Sequence, residues 1–362
     1  MIVTKLELSN FRNYDSLKLK LDSKTNILYG KNAQGKTNIL ESVYLCSTTK
    51  SHRSSKDIEL IKFDCDEGHI KLFVDKNDRE YRIDIHLRRN KSKGIAINGI
   101  PIKKASELFG VFNVIFFSPE DLNIIKNGPA ERRRFVDMEL CQLDKIYVYN
   151  LINYNKVLGQ RNQLLKDIYF RPDLEDTLDV WDMQLAEYGA KVIQRREEFI
   201  KNINEIIKPI HRNLTNDQEN INVIYSKNCD ESSLYKKILE NRKKDMKYKS
   251  TSVGPHRDDI LFYNGDMNIR IYGSQGQKRT VALSLKLAEI ELVKSLINDT
   301  PVLLLDDVLS ELDSDRQNHL LKGLNDIQTI ITCTGLDEFI ENRFKINKVF
   351  NVTEGNVFEK TV

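Results

Sequence analysis

An α/β fold interrupted by a helical second lobe is predicted for this 362-residue chain by three observations. A glycine-rich loop joins a short apolar run to a helical pattern, a distant apolar run ends in paired aspartates, and a polar, glycine-poor stretch with helical spacing lies between them. The elements follow in order. Ile2 to Leu8 and Leu17 to Leu21 alternate apolar and polar residues, as half-buried strands do. Thr25 to Tyr29 is a short buried strand, and Asn38 to Leu45 opens a helix. His69 to Val74, Tyr81 to Leu87 and Lys93 to Ile97 are further strands, with Asn98-Gly99 as a hairpin-type turn. These alternating strands are expected to form an antiparallel sheet flanking the loop. Val111 to Phe117 is a buried strand, after which Pro119 and Gly128-Pro129 interrupt the chain.

From about Arg132 to Lys249 the chain is expected to be mostly helical. Tyr147, Leu151, Tyr154, Leu158, Arg161, Leu165 and Ile168 recur at helical spacing. After Arg171-Pro172 the pattern resumes at Leu178, Trp181, Leu185, Tyr188, Val192, Arg195 and Phe199. An antiparallel helical hairpin results, whose apolar stripe reads as core packing. Arg161 and Arg195 break the stripe, and pairing with carboxylates or facing DNA would each accommodate them. The expected division is residues 1–131 and 250–362 for the two parts of the head, and 132–249 for the inserted lobe.

Composition narrows the class further. Net charge is +3 with 30% charged residues, so any nucleic-acid surface must be local rather than global. Cys46, Cys65, Cys141, Cys229 and Cys333 are scattered and odd in number, which indicates neither a disulfide framework nor a zinc site. The six histidines show no metal-ligand spacing. No charged-then-apolar leader is present, and apolar runs such as Val114 to Phe117 are far too short to span a membrane. A cytoplasmic protein without a membrane partner is expected.

Gly30-Lys31-Asn32-Ala33-Gln34-Gly35-Lys36-Thr37 satisfies the P-loop template at every constrained position, between a strand and a helix. Backbone N–H groups and the helix N-terminus there converge on phosphate. All eight residues are expected to bind ATP, with Lys36 neutralising β- and γ-phosphate charge and Thr37 ligating Mg²⁺. Val302 to Leu305, followed by Asp306-Asp307, reads as a central parallel strand whose carboxyl end faces the ligand. Asp306 is expected to hold Mg²⁺ through water. Asp307 takes the place of the residue that orients or deprotonates attacking water, making it catalytic alongside Lys36.

Between these lies Gly273-Ser274-Gln275-Gly276-Gln277, just ahead of an apolar helix from about Thr280 to Leu296. Its amides make a second anion-binding helix N-terminus. The P-loop already cradles the phosphates of its own site. Ser274, Gln275, Gly276 and Gln277 are therefore expected to bind a γ-phosphate held by a second copy, giving an ATP-dependent homodimer. Ser310-Glu311-Leu312-Asp313 would line the same seam.

With these strings in place, the chain resembles the RecF family of bacterial recombination mediators, related to the SMC-type ATPases, over essentially its full length. Further matching strings are Leu8-Ser9-Asn10-Phe11-Arg12-Asn13-Tyr14, Ser51-His52-Arg53, and Phe117-Ser118-Pro119-Glu120-Asp121-Leu122. Glu131-Arg132-Arg133-Arg134-Phe135-Val136-Asp137 and Gly254-Pro255-His256-Arg257-Asp258-Asp259 complete them. The resemblance implies an ABC/SMC-type P-loop ATPase head with an inserted helical lobe, dimerised by ATP and bound to single-stranded or gapped DNA. It also implies cooperation with RecR and RecO in placing RecA, and roles in replication, recombinational repair and SOS induction.

Several departures from the wider ABC pattern shape the expected activity. Asp307 stands where glutamate is usual, and its shorter arm predicts slow hydrolysis by a weak, DNA-stimulated ATPase that acts as a switch. Glu120 is a candidate to replace the lobe-contacting glutamine, which is not obvious here, and Thr332 or Thr334 is a candidate for the missing switch histidine. Candidate DNA-contacting cations are Arg53, the Arg88-Arg89-Asn90-Lys91 turn, Arg132-Arg133-Arg134 and Arg242-Lys243-Lys244, each also readable as a solvated face. Arg12 and Tyr14 offer nucleotide contact or simple packing. Gly254-Pro255-His256-Arg257 reads as a strand-turn, with Arg257 able to approach nucleotide or DNA. Two alternatives stand beside this reading. A transporter nucleotide subunit would carry a shorter insert, the glutamate and the histidine, and an SMC-like structural clamp would need a far longer coiled coil.

Overall fold

A computed structural model of the chain describes residues 1–54, 56–309, 316–317, 320, 326–336 and 346–360. Two compact units divide it, Met1–Asp121 with Glu289–Val362, and Leu122–Ala288. The second unit is wider than the 132–249 lobe expected from composition, for a reason visible in its sheet.

The first unit begins with β1 (Ile2–Phe11), β2 (Tyr14–Lys20), β3 (Thr25–Tyr29) and α1 (Lys36–Thr48). It continues with β4 (Glu67–Lys76), β5 (Arg79–Arg88), β6 (Gly94–Ile97), β7 (Ile100–Pro101) and β8 (Val114–Phe117). An antiparallel sheet runs in the order β2-β1-β4-β5-β6-β7. Period-2 alternation is strict on its central pair β4 and β5: Ile70, Leu72 and Val74 on β4, with Ile83, Ile85 and Leu87 on β5, are buried in one cluster with Ile39, Leu40 and Val43 of α1. Each such side chain contributes about 1.5–3 kcal/mol of burial. That core holds α1 in place, and with it the loop that precedes it.

The second unit carries α2 (Leu122–Lys126), α3 (Pro129–Leu143), α4 (Lys145–Asp167) and α5 (Leu178–Leu214). β9 (Ile221–Ser226), α6 (Leu234–Glu240), α7 (Arg242–Tyr248), β10 (Asp259–Asn264), β11 (Met267–Asn268), α8 (Ile269–Tyr272) and the first part of α9 (Gln275–Ile297) complete it. Asp144 caps α4 by accepting from the N–H groups of Ile146 and Tyr147. Ion pairs Asp144–Arg195 at one end and Arg161–Asp182 at the other set α4 and α5 antiparallel. Both arginines that interrupt the apolar stripe thus pair with carboxylates.

The stretch expected to be mostly helical also contains β9, which pairs along its whole length with β10. That pairing draws residues beyond 249 into the unit. The signal for β9 is the alternation of Ile221, Val223 and Tyr225, and the Asn264-Gly265 turn, with Gly265 at φ 57°, marks the hairpin of β10 with β11. Gly254-Pro255-His256-Arg257, read as a strand-turn, instead forms a short 3₁₀ turn over Pro255–Arg257. Two of the strings that carry the family resemblance, residues 131–137 and 254–259, meet here. Arg132 forms a bidentate pair with Asp259 at 2.6 and 3.1 Å, Arg133 donates to the carbonyl of Asp258, and Arg196 joins Asp137 to the carbonyl of Pro255.

The first unit closes with β12 (Val302–Asp306), β13 (Thr329–Cys333), β14 (Lys348–Thr353) and β15 (Asn356–Lys360). A second sheet runs β15-β14-β3-β13-β12-β8, parallel except for β15. β12 is buried at all five positions, as its apolar run predicts for a strand covered on both faces. β14 pairs in parallel with the short β3, which lies far away in sequence, and β15 returns antiparallel along β14 through the Glu354-Gly355 turn. Ser310, Glu311, Leu312 and Asp313, expected at a dimer seam, lie outside the described residues.

Candidate functional site

Parallel pairing brings the carboxyl ends of β3, β13 and β12 to one edge of the sheet, so the loop after β3 and the aspartate ending β12 must meet there. They do. The Thr37 hydroxyl, at the start of α1, donates to Asp306 Oδ1 at 2.9 Å. Between them, Thr332 on β13 donates its hydroxyl to the same oxygen at 2.8 Å and accepts from the Asp307 N–H at 3.0 Å. Asp306 is almost fully buried, and burial pushes its carboxyl pKa up, only partly offset by the two threonine hydroxyls and the nearby Arg53 charge.

The loop itself is tightly held. A Cβ at Gly30 would lie 2.2 Å from the Val352 carbonyl oxygen, and one at Gly35, whose φ is 111°, would meet Asn13 Nδ2 at 2.5 Å. Only glycine fits at either position. Asn13 donates to the Gln34 carbonyl at 3.0 Å, Tyr14 OH donates to the Gly35 carbonyl at 3.0 Å, and the Glu354 N–H donates to Gln34 Oε1 at 2.6 Å. Lys31, Asn32 and Ala33 form the exposed rim, and Ala33 takes a left-handed φ of 64°. Lys36 is buried beneath them. Its ammonium donates to the carbonyls of Gly30 at 2.6 Å and Lys31 at 3.1 Å.

Arg12 resolves toward packing. Its guanidinium forks onto the fully buried Glu41 of α1 at 2.8 and 2.7 Å, while Ser51 and Arg53 add bonds to the same carboxylate at 2.5 and 3.2 Å. The role of the Leu8–Tyr14 and Ser51–Arg53 strings is thus to brace the helix behind the loop. No local motif names Glu41, and only its position four residues beyond Thr37 could have drawn notice.

Asp307 sits at φ 52°, a left-handed conformation unusual for a residue other than glycine. Glu120 is exposed in the turn after β8, and Thr334 is exposed while Thr332 is not. Of the two threonines, therefore, Thr332 is the one joined to Asp306.

In the second unit, Ser274 and Gln277 bond each other reciprocally: the Ser274 N–H donates to Gln277 Oε1 at 2.9 Å, and the Gln277 N–H to Ser274 Oγ at 3.2 Å. This capping box starts α9 and leaves Ser274, Gln275 and Gly276 exposed. Gln277 Nε2 donates to Glu219 at 3.0 Å, and Glu219 meets His211, which meets Ser284. The turn is thereby tied to the end of α5. Among the candidate cations, Arg132 is buried against Asp259 and Arg242 is committed to Asp179 and Asp182. Lys91, Arg134, Lys243 and Lys244 are exposed.

A P-loop cradle, an acidic strand end and a capped serine-glutamine turn on this architecture define an ATPase head of the ABC and SMC kind. Residues 2–357 match the RecF/RecN/SMC N terminal domain. The chain belongs to the RecF family. It is 63% identical over 357 residues to the DNA replication and repair protein RecF of Agathobacter rectalis, covering 99% of each chain. The RecF of Lachnospira eligens is likewise 63% identical, over 359 residues and 99% of each chain. A solved structure of the recombination mediator protein RecF-ATP in the RecFOR pathway superposes with a TM-score of 0.93 at 37% identity, covering 99% of this chain and 98% of that one. Among the described residues no helix is long and apolar enough to cross a membrane.

Proposed function

We propose that this chain is an ATP-switched DNA-binding protein of replication and recombinational repair, acting in the cytoplasm where its DNA lies. The observation that carries this reading is the hydrogen bond from Thr37 to Asp306, which joins the P-loop helix to the acidic strand. Hydroxyl and carboxylate are the hard oxygen donors that Mg²⁺ takes, so the pair fits that ion. Thr37 and Asp306 would hold the ion, which would supply positive charge to offset that of the phosphates. Lys36 exchanges the Gly30 and Lys31 carbonyls for β- and γ-phosphate oxygens. The rim residues Lys31 to Gln34 and the Gly35 amide line the phosphate path, and Asp307, oriented through Thr332, positions water for slow hydrolysis.

Completion of the site falls to a second copy. Ser274, Gln275 and Gly276 are presented to solvent on a pre-formed helix N-terminus, suited to the γ-phosphate held by another chain. Shifting a pair of chains from mostly apart to mostly closed needs about 5.5 kcal/mol. Two shared triphosphates, each accepting charge-assisted bonds of about 1.5–3 kcal/mol, are sufficient. Closure would join basic surfaces from two heads and their 132–249 lobes into one site for single-stranded or gapped DNA. RecR, RecO and RecA are the partners this reading adopts from the RecFOR pathway, with induction of the SOS response as its consequence, and hydrolysis releases the DNA.

Gel filtration with light scattering tests the reading directly. The parent should dimerise with ATP, remain monomeric with ADP or without nucleotide, and bind gapped duplex only in the first state. Ser274→Arg should bind ATP normally yet stay monomeric. Dimerisation of that variant equal to the parent's, or association indifferent to nucleotide, would overturn it.

A further inference from the structure

Away from the nucleotide site, the antiparallel sheet gathers Glu67, His69 and His86 on its outer face. Glu67 and His69 stand two apart on β4 and so project from the same side, and His86 is the register partner of His69 on β5. The two imidazoles stack with centroids 4.2 Å apart and planes 20° from parallel. His86 Nε2 lies 2.9 Å from Glu67 Oε2. One ligand atom from each residue lies within 4.8 Å of the other two. Arg88, the register partner of Glu67, donates instead to the Ser92 carbonyl at 2.8 Å, leaving that carboxylate to His86.

The same face is hollow beside the imidazoles. A cavity of about 210 Å³ is lined by His69, His86, Lys71, Asp84, Gly94 and Ala96, among others. It exists because the strand β6 sets Gly94 opposite His86 and Ala96 opposite Asp84, where larger side chains would fill the space.

We propose that Glu67, His69 and His86 form a binding site for a borderline divalent transition ion of the Zn²⁺ class, with a further coordination position opening into the hollow. Two imidazoles and one carboxylate are a ligand set that suits such an ion and leaves a position free. Bonds of about 2.0–2.1 Å place tetrahedral ligands roughly 3.3 Å apart. Closing the present spread requires shifts of about 1.5 Å, within the broad terminal torsions of histidine and glutamate side chains. Mg²⁺ favours all-oxygen coordination, so this cluster and the Thr37–Asp306 pair would select different ions. The sequence hides the cluster because its members lie on two strands, and only strand pairing aligns them.

Calorimetric titration of the full-length protein with ZnCl₂ at neutral pH tests the assignment, with Co²⁺ absorption as a second reading. The parent should bind one Zn²⁺ per chain at this site, and its Co²⁺ form should lack the thiolate charge-transfer band that cysteine ligation would give. His69→Ala and His86→Ala should each weaken Zn²⁺ by more than about tenfold, the loss that removal of even an outer partner causes. Affinity for Mg²⁺-ATP should stay at the parent value in both. His86→Gln serves if either alanine variant fails to fold. Zn²⁺ affinity unchanged in the histidine variants, a thiolate band in the Co²⁺ form, or no Zn²⁺ binding by the parent would each overturn the proposal and leave His86 and Glu67 as a hydrogen-bonded pair only.

Discussion

The guanidinium of Arg161 and the carboxylate of Asp182 meet at 2.6 Å with neither side chain exposed. Arg161 also donates to Asp245 and to Thr251, each at 2.8 Å, and Asp182 accepts in turn from Arg242. One cation thus ties α4 to α5, to α7 and to the segment beyond it. Taking such charges out of water is costly, and the mutual attraction offsets that cost only while the set is complete. Arg161→Met should therefore destabilise the protein by about 3–5 kcal/mol in urea unfolding, because two buried carboxylates lose their shared partner. A loss below about 1 kcal/mol would show that the cluster is open to water. Replacing Arg161, Asp182 and Asp245 together by apolar residues should recover much of the loss.

Glu41 gives a pH signature of opposite origin. Burial pushes its carboxyl up, but hydrogen bonds from Arg12 and Ser51, with the charges of Arg12 and Arg53, hold it below its ordinary 4.5. A depressed carboxylate stabilises the fold above its unfolded value, and that contribution disappears as pH falls through the lowered one. Glu41→Gln should accordingly be less stable than the parent by about 1.5–3 kcal/mol at neutral pH, the range of a charge-assisted bond. Melting temperatures taken downward from pH 7 should converge below pH 4.5. Parallel curves would contradict the pairing.

Asp306 should behave in the reverse sense in nucleotide-free protein. Its folded pKa is raised above the ordinary 3.8, so its stabilisation is complete below that value and is lost as pH rises through the raised one. At neutral pH the ionised form therefore costs stability. Asp306→Asn, which keeps the oxygen accepting from Thr37 and Thr332, should melt higher than the parent at pH 7. The difference should shrink toward pH 4, and a variant that melts lower at pH 7 would refute the account.

On the proposed function, Asp307→Asn should separate binding from turnover. An amide cannot take a proton, and loss of a general base costs about 10²–10⁴-fold in rate. The variant should bind ATP with parental affinity, dimerise, and remain dimeric for longer. Phosphate release equal to the parent's would remove Asp307 from the reaction.

Legibility followed sequence distance. The P-loop was readable because its backbone geometry, its lysine and its hydroxyl lie within eight consecutive residues, Gly30 to Thr37. β12 announced itself through an unbroken apolar run, and Ser274 with Gln277 is a capping pair only three residues apart. Apolar spacing likewise revealed α4 and α5. By contrast β9 lies within a helical context, and β14, although joined to β15 by a local Glu354-Gly355 turn, finds its place in the sheet only beside β3, more than three hundred residues away.

The amino-acid order alone determined the P-loop, the acidic strand, the helical hairpin and the family, since each depends on neighbours along the chain. Tertiary structure decided what the isolated charges do. It made Arg132, Arg161 and Arg242 internal ties, set Glu41 behind the loop, joined Thr332 to Asp306, and aligned His69 with His86. The physical reason is that apolar periodicity and loop geometry are local properties. The partner of a charge or an imidazole depends on strand register and helix contact between segments far apart, and those arise only when the core has closed.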